Sequence, residues 1–495
     1  MTEEAEEAEE DGEEEEEEDN RVPEATAWEL KKSDGTVLTF DARGLLRYVT
    51  DRKGYRTVLL YDENDDVRQI RTPSGKLFDL TADEYHRITS VTLPNGGIIT
   101  YGYDESHNLI SVTDPEGGVR RYEYDDTHHM TAWYDENGSR IVENVYDKDG
   151  RVTSQTDALG NTTNLAYENG CTVSTDNRGN VTRYYMDSRR RISRIEYPDG
   201  SSESTIYTED NRVAGRTDER GVTTSYTYDK NGNILTETRG DGSQASYTYN
   251  DLNLPLTAAD YEGNVTTFTY DESGNLLSMT DGEDNTVHYT YDELNRMVSI
   301  KDANGGTHKF TYDGAVVASM TDGEGYIWTF AYDDMNHVLE ASDPLGNTKS
   351  YEYNLKGWRT SETEKDGGTT KYEFDAVGTV LSITDAMGEE TAFNYDKMYN
   401  ILSGRDALGN TLDYVYDENY NKIKERDAKG GETHYTYDSR NRLIKTTDVL
   451  GQEIAYELDG KGNILKTTDR RGNIRSTLYH TILNLPVLKK RCSWQ

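Results

Sequence analysis

The chain has 495 residues and a formal charge of -40, with 43 glycines and 38 tyrosines against 7 phenylalanines. So much negative charge leaves no basic face to displace counterions from a nucleic-acid duplex or to hold anionic lipid, and neither is an expected partner. Hydrophobic residues make up 33 %, so burial in a chain this long depends on tyrosine, while Cys171 and Cys492 supply neither a disulfide framework nor a zinc spacing. No apolar run reaches the roughly 18 to 20 residues that cross a bilayer, and the first twenty residues are acidic where a signal peptide is basic. No membrane insertion is expected, and no signal peptide is visible.

The chain opens on Met1 to Asp19, with 14 acidic residues and no basic one. Such a segment repels itself, so residues 1–25 are expected to form a disordered acidic tail. A docking segment for a basic partner is the sharper reading of it; a solubilising leader is the plainer one.

From residue 26 onward one phrase repeats. The aromatic that precedes a turn aspartate recurs nearly every 21 residues, most clearly as Tyr228-Asp229, Tyr270-Asp271, Tyr291-Asp292, Tyr312-Asp313, Tyr332-Asp333, Tyr395-Asp396, Tyr416-Asp417 and Tyr437-Asp438. Weaker members on the same beat, among them Ala82, Met186 and Leu458, bring the count to about 22 units, and a fixed period of this length marks a repeat architecture. Within one unit, Thr286 to Tyr291 alternates with period two and reads as a strand; Asp292 to Arg296 is a turn, Met297 to Lys301 a second strand, and Asp302 to Gly306 a second turn. Glycine and asparagine at the turns tolerate positive φ, and the leading aspartate accepts a backbone hydrogen bond two residues on. The unit is a β-hairpin. The array is expected to run from 26 to 480, with 481–495 a truncated last repeat and C-terminal tail.

A lone hairpin is marginal in water, so neighbouring units must share their tyrosine faces. Forty-odd strands spaced about 4.8 Å apart make a ribbon on the order of 200 Å long, and twisted open sheets of more than about 10 strands curl. A propeller would need about 11 blades, beyond the usual 4 to 8. The predicted fold is therefore all-β: a coiled or spiral β-sheet of about 22 hairpin units forming a hollow or partly open shell. Tyrosine suits a thin sheet with two wet faces, because it spreads a large ring yet keeps a hydroxyl for water or a backbone carbonyl.

The recurring x-Tyr-x-Tyr-Asp-x-x-Gly/Asn-Arg/Asn-Leu, with a downstream Thr-Asp-x-x-Gly-Asn, resembles the YD repeat of the Rhs family, shared by bacterial Rhs polymorphic toxins, the C components of insecticidal Tc toxins and teneurins. The resemblance covers almost everything after residue 26. It implies a spiral sheet wound into a shell that encloses a toxic domain, a secreted or cell-surface location, and as partners a toxin cargo or the remaining part of the Rhs shell. In the full-length toxins a DPxGL-type motif supports self-cleavage; here the nearest strings, Asp343-Pro344-Leu345-Gly346-Asn347 and Asp114-Pro115-Glu116-Gly117-Gly118, fall in ordinary repeat turns. The chain is read as a shell segment whose toxin domain lies elsewhere.

Catalytic patterns do not surface. There is no GxSxG, HExxH or Walker loop, and His128-His129 is the only histidine pair, better explained by a turn than by a metal. Asp229-Lys-Asn-Gly-Asn233 opens like a calcium loop, but Ile234 breaks the ligand pattern. No enzyme, cofactor or metal is expected, and the YD pairs are read as structural. Surface tyrosine rows could stack on sugar rings, so cell-surface adhesion or carbohydrate binding is the alternative; Trp28, Trp133, Trp328, Trp358 and Trp494 are too dispersed in sequence to nominate a platform for it.

Overall fold

The computed structural model describes residues 26–32, 34–479 and 486–492. The acidic tail, the last residue of the expected array and parts of the expected C-terminal segment, 481–485 and 493–495, lie outside them. Among the described residues there are 45 strands, numbered in chain order from β1 (Thr26–Lys31) to β45 (Pro486–Cys492), and no helix. The strands form one antiparallel sheet in which each pairs only with its neighbours in sequence, as Val265–Tyr270 does with Leu276–Thr280 and that strand with Thr286–Tyr291. β1 and β45 each pair on one side alone, so the sheet is open. The expected all-β repeat sheet is what forms, and the strands predicted at 286–291 and 297–301 have those bounds. The sheet also continues past residue 480 through β45.

The two faces differ. On one lie the ring residues and aliphatics, such as Phe268, Tyr270, Leu276 and Met279; on the other, hydroxyls pair across strands, Thr269 with Ser278 at 2.6 Å and Thr280 with Thr286 at 2.8 Å. The threonine before the downstream aspartate therefore recurs because it has a threonine opposite it. Only Ala132, Cys171 and Ala245 are buried among the described hydrophobic residues. Stability here comes from half-buried rows repeated many times, as in other one-dimensional arrays, rather than from one deep core.

Each unit is also asymmetric. The ladder leading to the Tyr-Asp turn pairs Thr269 with Ser278 and Tyr270 with Leu276, leaving Leu277 as the extra residue of a bulge. The same shift recurs at Tyr228, Tyr291 and Tyr437. The return ladder between units is shorter, pairing Ser278 with His288, Met279 with Val287 and Thr280 with Thr286. A bulge bends and further twists its strand, so one bulge per hairpin on the same edge gives the ribbon a cumulative curl.

The curl closes on itself after about half the chain. Hydrogen bonds join residues 221 to 264 positions apart, such as Arg440 to Glu219, Asn137 to Asp375 and Tyr399 to Asp135. From the turn at Lys53 to the turn at Asn295, which donates to the Lys53 carbonyl at 2.8 Å, the chain passes 23 strands. At about 4.8 Å per strand that winding is about 110 Å around and about 35 Å across. The described residues make two such windings, one laid along the edge of the other.

Candidate functional site

The ribbon has two edges. One carries the Tyr-Asp turns, the other the return turns. Tyrosine builds the first edge from below: the Tyr270 hydroxyl donates to the Pro255 carbonyl at 2.9 Å, and Tyr228, Tyr291, Tyr312, Tyr332, Tyr395 and Tyr437 reach the carbonyl 15 residues back in the same way. For Tyr270 that carbonyl belongs to the first residue of the preceding strand, beyond the last pair of the return ladder. The hydroxyl takes over where the backbone ladder has splayed, which phenylalanine could not do. Tyr416 is half-buried in the same row and pairs with Lys422.

Aspartate then caps the turn. Asp229 Oδ1 accepts from the amides of Asn231 and Asn233, at 2.9 and 2.8 Å, and its Oδ2 accepts from the Asn233 side chain at 2.8 Å. Asp271, Asp396 and Asp417 are bound likewise by Asn275, Asn400 and Asn421; Asp292 and Asp438 by Arg296 and Arg442; Asp333 by His337. In these turns the fifth residue is Asn, Arg or His, and its side chain returns a donor to the first. In the first winding the Arg87 side chain, donating to Asp83, holds that carboxyl down at about 2, and Arg151 does the same for Asp147, also at about 2. Asp313 departs from this pattern. It ends a strand opposite Val316 across the two residues Gly314-Ala315, because this unit is one residue short and has no room for the five-residue turn.

The seam between windings sets Tyr-Asp turns of the second against return turns of the first. Lys356 Nζ reaches Asp114 at 2.5 Å, with both side chains mostly buried. Arg440 bonds Glu219 and Ser201 at 3.0 Å each and lies over the Tyr197 ring at 3.7 Å, and Lys461 reaches Asp218 at 3.0 Å. The Tyr399 and Tyr420 hydroxyls donate to Asp135 and Asp157. Burial and that contact push the Tyr420 phenol up to about 12. Asn419 to Asp176 and Asn177 to the Glu418 carbonyl complete a polar zipper. Clefts run along it, one of about 500 Å³ lined by Glu203, Arg216, Tyr226 and Lys461.

The fold also gathers what the sequence scatters. Trp133 and Trp358 both come up against the turn at 375–379, but half-buried in the seam rather than as an exposed pair; Trp28 stacks on Phe40 at 3.8 Å far from them, and Trp494 lies outside the described residues. His129 stacks on Tyr146 and bonds Asp125, while His128 bonds Asn108, so the histidine pair divides between two turns. Among the described residues no cluster of three or more His, Cys, Asp or Glu could hold a metal ion. The seam itself was invisible in sequence. Its partners share no motif, only a separation of about half the chain.

A family model described as the RHS repeat matches seven spans, 83–119, 103–140, 207–244, 249–286, 270–307, 421–453 and 437–474. No curated protein matches. Among solved structures, the chain is similar to one of TcdB2-TccC3-TEV, with a TM-score of 0.65 and 14 % identity over 90 % of this chain and 34 % of that one. It is also similar to TcdB2-TccC3-Cdc42, with a TM-score of 0.60 and 17 % identity over 86 % and 26 %, and to TcdB2-TccC3 without its hypervariable C-terminal region, with a TM-score of 0.54 and 12 % identity over 92 % and 32 %. This chain spans about a third or less of the length of each, and at these identities the likeness is one of fold.

Proposed function

The chain is an RHS-repeat protein, and from that premise we propose that it serves as wall: a shell segment of an Rhs-type toxin that encloses or presents a toxin domain. The seam carries this reading. A ribbon that merely displayed turns to glycans would need no bonds between windings, whereas Lys356 to Asp114, Arg440 to Glu219 and Tyr420 to Asp157 join successive windings into a continuous surface. The fold similarity to TcdB2-TccC3 structures supports it. Every described residue lies in the sheet or its turns, so on this reading the toxin domain is contributed by sequence outside them. The partners are that cargo and the rest of the shell, and the place of action is outside the producing cell. The YD pairs act as structure, the tyrosine closing a strand end and the aspartate a turn; no catalytic role is assigned.

Small-angle scattering on the chain without residues 1–25 tests the proposal. A distance distribution with the depleted centre of a hollow body, about 35 Å across per winding, is the expected result. A filled or extended profile would sink it.

A further inference from the structure

One five-residue turn, Asp-Ala-Leu-Gly-Asn, occurs twice on the return edge: at 157–161 in the first winding and at 406–410 in the second. The first copy is covered. Asp157 accepts a hydrogen bond from the Tyr420 hydroxyl of the winding laid against it, and Leu159 is 43 % exposed. In the second copy Leu408 is 86 % exposed. At the same turn position Leu345, Met387 and Leu450 are 84, 84 and 76 % exposed. The covered edge carries mostly polar residues there, among them Lys53, Asn95, Glu116, Asn137 and Arg178. This is the reverse of what burial dictates. One exposed leucine needs no explanation, but apolar tips at a single lattice position along an open edge mark a contact surface.

The seam shows what a return edge takes, namely a Tyr-Asp edge. The fourth residue of the incoming turn, in left-handed backbone, presents a ring donor to an aspartate: Tyr399 (φ 64) to Asp135 and Tyr420 (φ 63) to Asp157. The Tyr-Asp edge of the first winding has no winding against it among the described residues. At that fourth position it carries rings in three consecutive units, His86 (φ 62), His107 (φ 66) and His128 (φ 65). Among the described residues the hydrogen bonds of all three rings run through Nδ1, to Asp66, Arg87 and Asn108 of the preceding turns, which leaves Nε2 for a partner. Among the described residues the chain thus presents one uncovered edge of each kind, and the two kinds are already complementary within it.

We propose that a second copy of this chain stacks head to tail on the first, its histidine row meeting the return turns of the second winding and its Tyr-Asp edge covering the leucine tips. The contact is heterologous and repeats the intramolecular seam, so copies add in line rather than closing as a two-fold pair. It stands on the seam alone and does not require a cargo.

Sedimentation of the full chain over a concentration series tests it, with two edge variants. The chain itself should pass from monomer to dimer and higher species. A return-edge variant, Leu408→Lys with Leu450→Lys, and a Tyr-Asp-edge variant, His86→Ala with His107→Ala and His128→Ala, should each stay monomeric. Mixed, the two should give a one-to-one dimer and nothing larger, because one intact edge of each kind remains. Unchanged strand content by circular dichroism guards against misfolding, and Leu408→Ala with Leu450→Ala is the milder substitute. A monomeric wild-type chain throughout, or self-association of either variant alone, overturns the proposal. Scattering from the monomeric variants would still report a hollow body if the wall reading holds, so the two failures are separable.

Discussion

The two windings share one backbone and differ in what they show. At the bulge beside the Tyr-Asp turns, the first winding is mostly polar, with Arg47, Arg68, Thr89, Thr131, Thr153 and Ser193 against Ile110, Ala214 and Leu235, while the second is mostly apolar, with Leu256, Leu277, Leu339, Leu381, Ile423, Ile444 and Leu465 against Thr360. The tips of the return turns divide the same way, polar where covered and often apolar where open. Tyrosine, the turn aspartate and the left-handed backbone of the fourth residue scarcely vary. The lesson is one of division of labour: the positions that set pairing and curl are held, and those that touch neither ladder nor cap are free to adapt each winding to its neighbours.

The comparison can be broken first at the seam. Arg440→Ala would remove the guanidinium that Glu219, Ser201 and Tyr197 share and leave a mostly buried carboxylate without its partner. Loss of one partner of a buried pair costs about 3 to 5 kcal/mol, so about 2 to 4 is expected at this partly wet site. Hydrogen exchange would show amides 197–222 and 438–463 deprotected together while the free edges are unchanged.

Glycine sharpens it next. Gly378 (φ 95) lies in the seam, where an added Cβ would stand 2.8 Å from Trp358, whereas Gly409 (φ 83) on the open edge has nothing within 4 Å. Both valine substitutions should cost about 1 to 3 kcal/mol of backbone strain. Only Gly378→Val should add the clash and lower the thermal midpoint further, by a few degrees.

Alkali tests the seam at a single phenol. Tyr420, raised from an ordinary 10 to about 12, favours its neutral form in the fold. Its contribution is therefore complete below pH 10 and is lost as pH rises through 12. Tyr197, Tyr261 and Tyr399 are also raised, so base titration followed by phenolate absorbance should find a delayed step in the wild type that is smaller by one phenol in Tyr420→Phe. Acid acts on the uncovered Tyr-Asp turns of the first winding. Asp83 and Asp147, held near 2, contribute fully above the ordinary 3.8 and lose that contribution as pH falls through 2, so their turns in the first winding should open to protease only in strong acid.

The smallest effect belongs to a single strut. Tyr270→Phe would delete the bond to the Pro255 carbonyl and cost about 1 kcal/mol, read as faster exchange in that hairpin alone.

Much of this was legible in the sequence. The strands at 286–291 and 297–301, the period of 21, the coiling and the reason for Tyr over Phe follow from alternation, turn chemistry and twist. Asp343-Pro-Leu-Gly-Asn347 is an ordinary return turn, as read. Three things were not legible. The role of the fifth turn residue hides behind three chemistries, Asn, Arg and His, that share only a donor. Asp313 matches the motif, yet one missing residue turns its loop into Gly314-Ala315. The seam joins Asp114 to Lys356 only because small bends accumulate over 23 strands, and no local window contains a sum.

Pairing only between sequence neighbours has a mechanical consequence. A sheet with crossovers must be torn across many strands at once, but this one can be drawn off from an end like tape from a reel, one hairpin per event. Each release frees about 21 residues, or about 70 Å of extended chain. While the outgoing strand still lies on a seam it must also shed that turn's bonds, so a pulled molecule should give a regular staircase whose steps share a length and whose forces fall once the last overlapped winding has peeled away.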